Sequence, residues 1–152
     1  MGDALLRNAQ RFPTKLALDD GRVKRTYLDL QLRTNRLGNY FLQQGICPGD
    51  HVAVSCGNRA EHLEVIFALA KIGVTAVPFD YHWSRQESDA MLKFFAPKAF
   101  VIEERHETAD NADLVLDRLG AKRVLFIGES LTPQAKSSYE AISSSSPENN
   151  GI

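Results

Sequence analysis

Apolar positions along the chain follow two alternating rhythms. In YLDLQLRTNRLGNYFLQQG, Leu28, Leu32, Leu37, Tyr40 and Phe41 recur near helical spacing, and Gly45 stands where a glycine closes a helix. Thr26 and Asp29 have the offset of a capping box at its start, with Asp for the usual Glu. After the turn Pro48-Gly49-Asp50, HVAVSC is a short continuous apolar run and predicts a buried strand. Asn58 and Glu61 then repeat the cap-and-acid offset. They predict a helix over residues 59–72, apolar on nearly every face from Leu63 to Ile72 and hence enclosed in a larger body. Gly73 closes that helix by admitting positive φ, and residues 74–79 read as a strand covered on both faces, with Pro78 at its exit.

The same alternation predicts a helix over 85–95, a strand over 98–102, a helix over 109–119 and a strand over 123–127. At the start of the chain, residues 3–11 suit an amphipathic helix with Leu5, Leu6 and Ala9 inward, ended by Phe12-Pro13. LALDDGRVKRTY then holds two β-like runs around Asp20-Gly21, a dipeptide suited to a tight hairpin turn. Repeated strand-helix units imply an α/β fold: a doubly wound, mainly parallel sheet with flanking helices, preceded by a β-hairpin. From residue 129 the chain turns rich in Ser, Pro and Asn, with one helical turn around Tyr139 to Ile142, so 1–128 reads as the α/β unit and 129–152 as a linker.

Composition narrows the function classes. With 152 residues and 43% hydrophobic content the chain can close one core without a metal or disulfide staple. Its 18 basic and 19 acidic residues are mixed along the sequence, which argues against a nucleic-acid partner. Cys47 and Cys56 have neither CxxC nor zinc spacing and fit a reducing compartment. The start lacks a secretory apolar region, and no run approaches the roughly 20 residues a bilayer requires. The expectation is a cytoplasmic protein without a membrane span.

Chemistry is sparse. Neither GxxxxGK[ST] nor GxGxxG occurs. Ile127-Gly128-Glu129-Ser130-Leu131-Thr132 begins like a nucleophile elbow but has Thr132 where the second glycine is required, so Ser130 reads as a loop residue. His51, His62, His82 and His106 are scattered, and no metal site is expected. Glu103-Glu104-Arg105-His106-Glu107 reads as a solvated connection after a strand. Two loops remain, 55–59 and 80–83, both expected at the carboxyl edge of the sheet, where ligands gather in open α/β folds. Asn58 suits a helix cap or an anion contact; Asp80, Tyr81, His82 and Trp83 suit a pocket wall or packing under the next helix. These five are the substrate-side candidates.

Four stretches, taken together, resemble the beginning of the AMP-binding, adenylate-forming superfamily: acyl-CoA synthetases, aryl-CoA ligases, luciferases and peptide-synthetase adenylation domains. ALLRNAQRFPTKLAL is similar to their opening segment, and TYLDL to the T-Y-x-E-L start of their first long helix. NRLGNYFLQQGICPGDHVAVSCGN resembles the helix, G-[IV]-x-x-G-D turn and strand that follow. KIGVTAVPFD matches K-x-G-x-x-x-V-P-x-D at Lys71, Gly73, Val77, Pro78 and Asp80. The match runs well over about residues 4–105 and more thinly to 142.

The resemblance implies the first part of a large N-terminal domain of a ligase most like the fatty-acid-CoA ligases. Such an enzyme uses ATP, Mg and coenzyme A to activate a carboxylic acid. It also implies that the phosphate loop, the later nucleotide motifs and the catalytic lysine lie beyond this sequence. On that view no catalytic or cofactor-binding residue maps here, no cofactor is held by this stretch alone, and the partner is the remainder of the ligase chain. Self-association through an uncovered apolar face is the further expectation. A self-contained binding or dimerisation module, an aryl-CoA ligase and a carrier-protein-loading enzyme stay open as alternatives.

Overall fold

The structure, a computed structural model, describes residues 2–80, 82–103, 106–128 and 139–144. Helix α1 (Gly2–Arg11) leads into a hairpin of β1 (Leu16–Asp19) and β2 (Lys24–Thr26), then α2 (Tyr27–Gln43). Three strand-helix units and a fourth strand follow: β3 (His51–Ser55), α3 (Ala60–Lys71), β4 (Thr75–Pro78), α4 (Arg85–Phe95), β5 (Ala99–Glu103), α5 (His106–Leu119) and β6 (Val124–Ile127), with a short α6 (Tyr139–Ser144) beyond them.

Strands β3 to β6 form one parallel sheet in the order β4-β3-β5-β6. Because successive side chains of a strand point to opposite faces, β3 divides the core in two. Val52 and Val54 join Leu37, Phe41, Val65, Leu69 and Tyr139 on the face covered by α2, α3 and α6. Ala53 joins Phe79, Leu92, Phe100, Leu114 and Val115 on the face covered by α4 and α5. The sheet is therefore doubly wound, as the strand-helix alternation predicts.

Several local expectations hold and several shift. The Thr26–Asp29 capping box opens α2, with Asp29 N–H on Thr26 Oγ1 at 3.1 Å and Thr26 N–H on Asp29 Oδ2 at 3.0 Å. Its inward stripe is Leu30, Thr34, Leu37 and Phe41, whereas Leu28 is exposed. Nine residues at 100° each set Leu28 half a turn from Leu37. In α1, Leu5 and Ala9 are buried but Leu6 is exposed, because the ten-residue helix packs a single narrow stripe. The hairpin turn is longer than a two-residue loop: residues 20–23 link the strands, and only Gly21 has positive φ there.

Strand β4 is not covered on both faces. It lies at the sheet edge, with Thr75 and Pro78 exposed, and an edge is where a residue lacking N–H is tolerated. Helix α3 is likewise less enclosed than its composition suggests. It buries Ala60, Glu61, Glu64, Val65, Ala68 and Leu69 and leaves Leu63 exposed. Gly73 closes it at φ +70, and a Cβ there would meet Pro48 Cβ at 3.3 Å, so both its conformation and its closeness to the preceding turn require glycine.

Two polar clusters tie these layers together. Lys71 Nζ donates to Gln31 Oε1 at 2.8 Å, Thr34 Oγ1 at 2.7 Å and Asn35 Oδ1 at 2.7 Å, joining α3 to α2 without a carboxylate. Burial pushes this ammonium down to about 8. The Glu64 carboxylate, fully buried, accepts Arg25 Nε at 3.0 Å, Arg33 Nε at 2.7 Å and the Tyr139 hydroxyl at 2.6 Å. Arg33 also pairs with Glu140 at 3.0 Å, and Arg36 donates to the Ser143 carbonyl at 2.8 Å. The helical turn expected around Tyr139 is thus α6, docked on α2; residues 129–138 and 145–152 of the expected linker lie outside the described residues.

Candidate functional site

The winding of the sheet defines where a site belongs. From β3 the chain crosses by α3 to β4 on one side; from β5 it crosses by α5 to β6 on the other. The carboxyl ends of the neighbouring strands β3 and β5 are therefore a topological switch point, the usual ligand crevice of an open parallel sheet. Residues 55–59 form one lip, as expected, and Glu103, the last residue of β5, forms the other.

That crevice is bridged by the chain's own charges. Gly57 N–H donates to Glu103 Oε2 at 2.8 Å, and Arg59 Nη1 donates to Glu103 Oε1 at 2.8 Å. The same guanidinium forks onto Glu61 through Nε at 3.2 Å and Nη2 at 2.9 Å. Arg22 continues the chain, meeting Glu61 at 3.2 Å and Asp20 at 2.8 Å. Glu103 is 3% exposed, so the reading of residues 103–107 as a solvated connection is corrected at its first member. A buried carboxylate at a strand end has to be paired, and Arg59 supplies the partner. Glu104 and Arg105 lie outside the described residues.

Electrostatics follow from these contacts. Burial acts to raise the Glu61 carboxyl, but the hydrogen bonds and charge of Arg59 outweigh it and hold the group below its ordinary value. Arg59 is opposed by burial and raised by Glu61 and Glu103. Asp20 sits far below the carboxylate range because it accepts the Val23, Ala60 and Arg22 N–H groups.

The last contacts correct the expected role of Asn58. The N-cap residue of α3 is Arg59, extended at φ −131 and ψ 157, with no side-chain cap of its own. Ala60 N–H is satisfied at 2.9 Å by Asp20 Oδ2, reaching across from the hairpin turn. Asn58 is exposed. The sequence offset of Asn58 and Glu61 resembles a capping box, but the helix starts one residue later, which frees Glu61 for the arginines.

The second loop, after β4, is a separate flank. Asp80 is exposed and its Oδ1 accepts the His82 N–H at 2.9 Å, a turn contact. Trp83 is half-buried, edge-on to Phe79 at 5.1 Å, and Phe79 is edge-on to Phe100 at 4.9 Å. Asn111 Nδ2 of α5 donates to the Trp83 carbonyl at 3.2 Å. Packing under the following helices accounts for Trp83. His82 is exposed, and Tyr81 lies outside the described residues. The structure thus places Asn58 beside the β3–β5 crevice and Asp80, His82 and Trp83 on its β4 flank. Glu103, Arg59, Glu61, Arg22 and Asp20, absent from the candidate set, make the crevice's ionic chain. The only sequence signal for Glu103 is an acid directly continuing an apolar strand.

Among the described residues no group of three or more His, Cys, Asp or Glu is arranged to hold a metal, and no helix is long and apolar enough to cross a membrane.

A parallel, doubly wound sheet of this kind, entered through a separate hairpin and carrying the K-x-G-x-x-x-V-P-x-D join at β4, defines an adenylate-forming ligase fold. The family model for AMP-binding enzymes matches residues 5–150, and the chain belongs to that family. It is 33% identical over 129 residues to long-chain fatty acid transport protein 1 of Rattus norvegicus, covering 84% of this chain and 20% of that protein. It is 31% identical over 134 residues to pyochelin synthase PchD of Pseudomonas aeruginosa, covering 86% and 24% respectively. Among solved structures, a putative long-chain-fatty-acid CoA ligase of Rhodopseudomonas palustris superimposes with a TM-score of 0.79 at 31% identity, over 96% of this chain and 36% of that one. The chain therefore spans about a fifth to a third of these relatives.

Membership of the family raises the fit of a nucleotide. Phosphates favour open helix N-termini, yet those of α2, α3 and α4 are closed by Asp29, Asp20 and Glu87 of this chain. Gly57 N–H is likewise taken by Glu103. These residues do not fit ATP, and no reaction step is assigned to them.

Proposed function

We propose that this chain is the leading portion of an ATP-dependent acid–thiol ligase, most like an acyl-CoA synthetase. In that reaction a carboxylate attacks the α-phosphate of ATP, the acyl-adenylate forms as pyrophosphate leaves, and the thiol of coenzyme A then takes the acyl group as AMP leaves. The match over residues 5–150 to the AMP-binding family, against relatives several times longer, carries the reading. In such an enzyme this stretch is scaffold. It builds the first sheet, and the Lys71-to-Asp80 join turns the chain from α3 into β4 rather than forming the reacting centre.

The similarity to a fatty acid transport protein and to a fatty-acid-CoA ligase supports a fatty acyl substrate. The comparable identity to pyochelin synthase PchD supports an aryl acid or carrier-protein transfer as the second reading. ATP–pyrophosphate exchange tests the assignment. The 152-residue chain alone is expected to show no exchange with fatty or aryl acids. Exchange above a protein-free control would overturn its reading as scaffold. A longer reading frame that places a Thr/Ser/Gly-rich loop after residue 152 is the matching genetic expectation, and a stop codon there supports a self-contained module instead.

A further inference from the structure

The face opposite the ligand edge has its own chemistry. Helix α4 ends, and β5 and β6 begin, at the amino edge of the sheet, and five cations collect there: Lys93, Lys98, Arg118, Lys122 and Arg123. Their contacts tie the cluster together. Lys93 and Arg118 share one carboxylate, Asp89, and Arg123 Nη1 donates to the Lys98 carbonyl at 3.0 Å. Lys98 is 3.8 Å from Asp50, and Asp117 is exposed on α5 nearby. Lys122 and Arg123 have no carboxylate within ion-pair distance among the described residues. Although the chain's formal net charge is -1, this face is locally positive.

At the same edge stands Phe94, 80% exposed, where the next most exposed large apolar side chain among the described residues, Leu16, is 50% exposed. Its neighbour Phe95 is held inward against His51, at 6.1 Å between rings, and Phe94 stands edge-on to Phe95 at 4.9 Å with its outer side in solvent. A groove of about 220 Å³ lies on the other side of α4, towards α5, lined by Leu92, Ala96, Pro97 and Leu119 with Lys93 and Arg118. An exposed apolar ring with cations at the same edge of the sheet matches an anionic lipid surface, with phosphates outside and acyl chains within. A nucleic acid would demand several exposed stacking rings, and among the described residues of this edge Phe94 alone is exposed.

We propose that this amino-edge face docks on anionic membranes, Phe94 entering the headgroup boundary while Lys93, Lys98, Lys122 and Arg123 meet lipid phosphates. Docking by this end leaves the carboxyl edge of the sheet facing away from the bilayer. Flotation of the 152-residue chain with phosphatidylcholine vesicles, with and without phosphatidylserine, tests it. Binding is expected only with phosphatidylserine and is expected to fall as salt rises.

Each lost cation weakens such binding about fivefold, so Lys122→Ala with Arg123→Ala is expected to lose about 25-fold. Phe94→Ser, at an exposed position, is expected to weaken binding while leaving the circular dichroism unchanged. Phe94→Trp should gain a blue-shifted emission component on binding, beyond that of Trp83. Equal binding to pure phosphatidylcholine, no vesicle binding at all, or wild-type binding by both sets of variants would overturn the proposal. So would binding to heparin that Phe94→Ser leaves intact while vesicles are ignored.

Discussion

Lys71 shows how one residue can serve the fold at a charge cost. Its ammonium is held by neutral oxygens of Gln31, Thr34 and Asn35, and burial lowers it from an ordinary 10.5 to about 8. Below pH 8 both folded and unfolded chains carry the charge, and the fold bears the full desolvation penalty. Between 8 and 10.5 the folded lysine has shed its proton while the unfolded one keeps it, so stability rises with pH across that window. Tyr139, raised well above 10 by burial, acts oppositely from pH 10 upward. Urea midpoints measured from pH 7.5 to 9.5 should therefore increase, and Lys71→Met should flatten the rise. A slope that persists in the variant would assign it elsewhere. At the start of α3, Asn58→Ala is expected to change stability by less than about 0.5 kcal/mol, as exposed substitutions usually do. Asp20→Ala, which strips a carboxylate from three backbone N–H groups, should lower the urea midpoint clearly more.

That contrast also shows where sequence reasoning reached its limit. The capping box at Thr26 was legible because both partners lie within four residues. The cap of α3 was not, because its acceptor comes from a hairpin 40 residues earlier in the chain. Glu103 and Glu64 were illegible for the same reason. An acid in an apolar run signals nothing until the fold brings an arginine to it.

Among elements, α3 illustrates the trade between burial and pairing. Glu64 sits at full burial on its inner face because Arg25 and Arg33 both reach it. Glu64→Leu would leave two guanidiniums facing an apolar side chain, and a loss of about 3–5 kcal/mol is expected in urea unfolding. Tyr139→Phe, which leaves Glu64 both arginines, should cost only about 1–2 kcal/mol, so the pair of variants separates charge pairing from α6 docking. Element identity was readable throughout: each strand-helix unit appears within three residues of its expected bounds. Element exposure was less so. The all-apolar look of 63–72 and 74–79 suggested enclosure, but an apolar residue does not tell which side its neighbours will cover, and β4 proved to be an edge.

At the scale of the molecule, uncovered surface matters most. Helix α1 lies against α3, and Leu6 at 39% and Leu63 at 43% exposure remain on the outer layer. Apolar side chains favour association where they join into a patch of several hundred Å². Sedimentation velocity across a concentration series should show dimers or larger species, shifting toward monomer on Leu63→Ser. A monomer at every concentration would mean that the chain closes its own surface and would favour the self-contained module.

The strand order carries a last consequence, for synthesis. Strand β3 and its immediate partner β4 are joined by one helix and can pair as soon as both have emerged. The other edge of β3 belongs to β5, whose first residue, Ala99, follows Ser55 only after two helices and a strand. At roughly 5–20 residues per second, a ribosome needs about 2–9 s to cover that interval. Throughout it the bonding edge of HVAVS stands open, an apolar template for any stray strand. Nascent chains should accordingly depend on chaperones most during this interval, and mutations that slow translation there should aggravate aggregation without altering the finished fold.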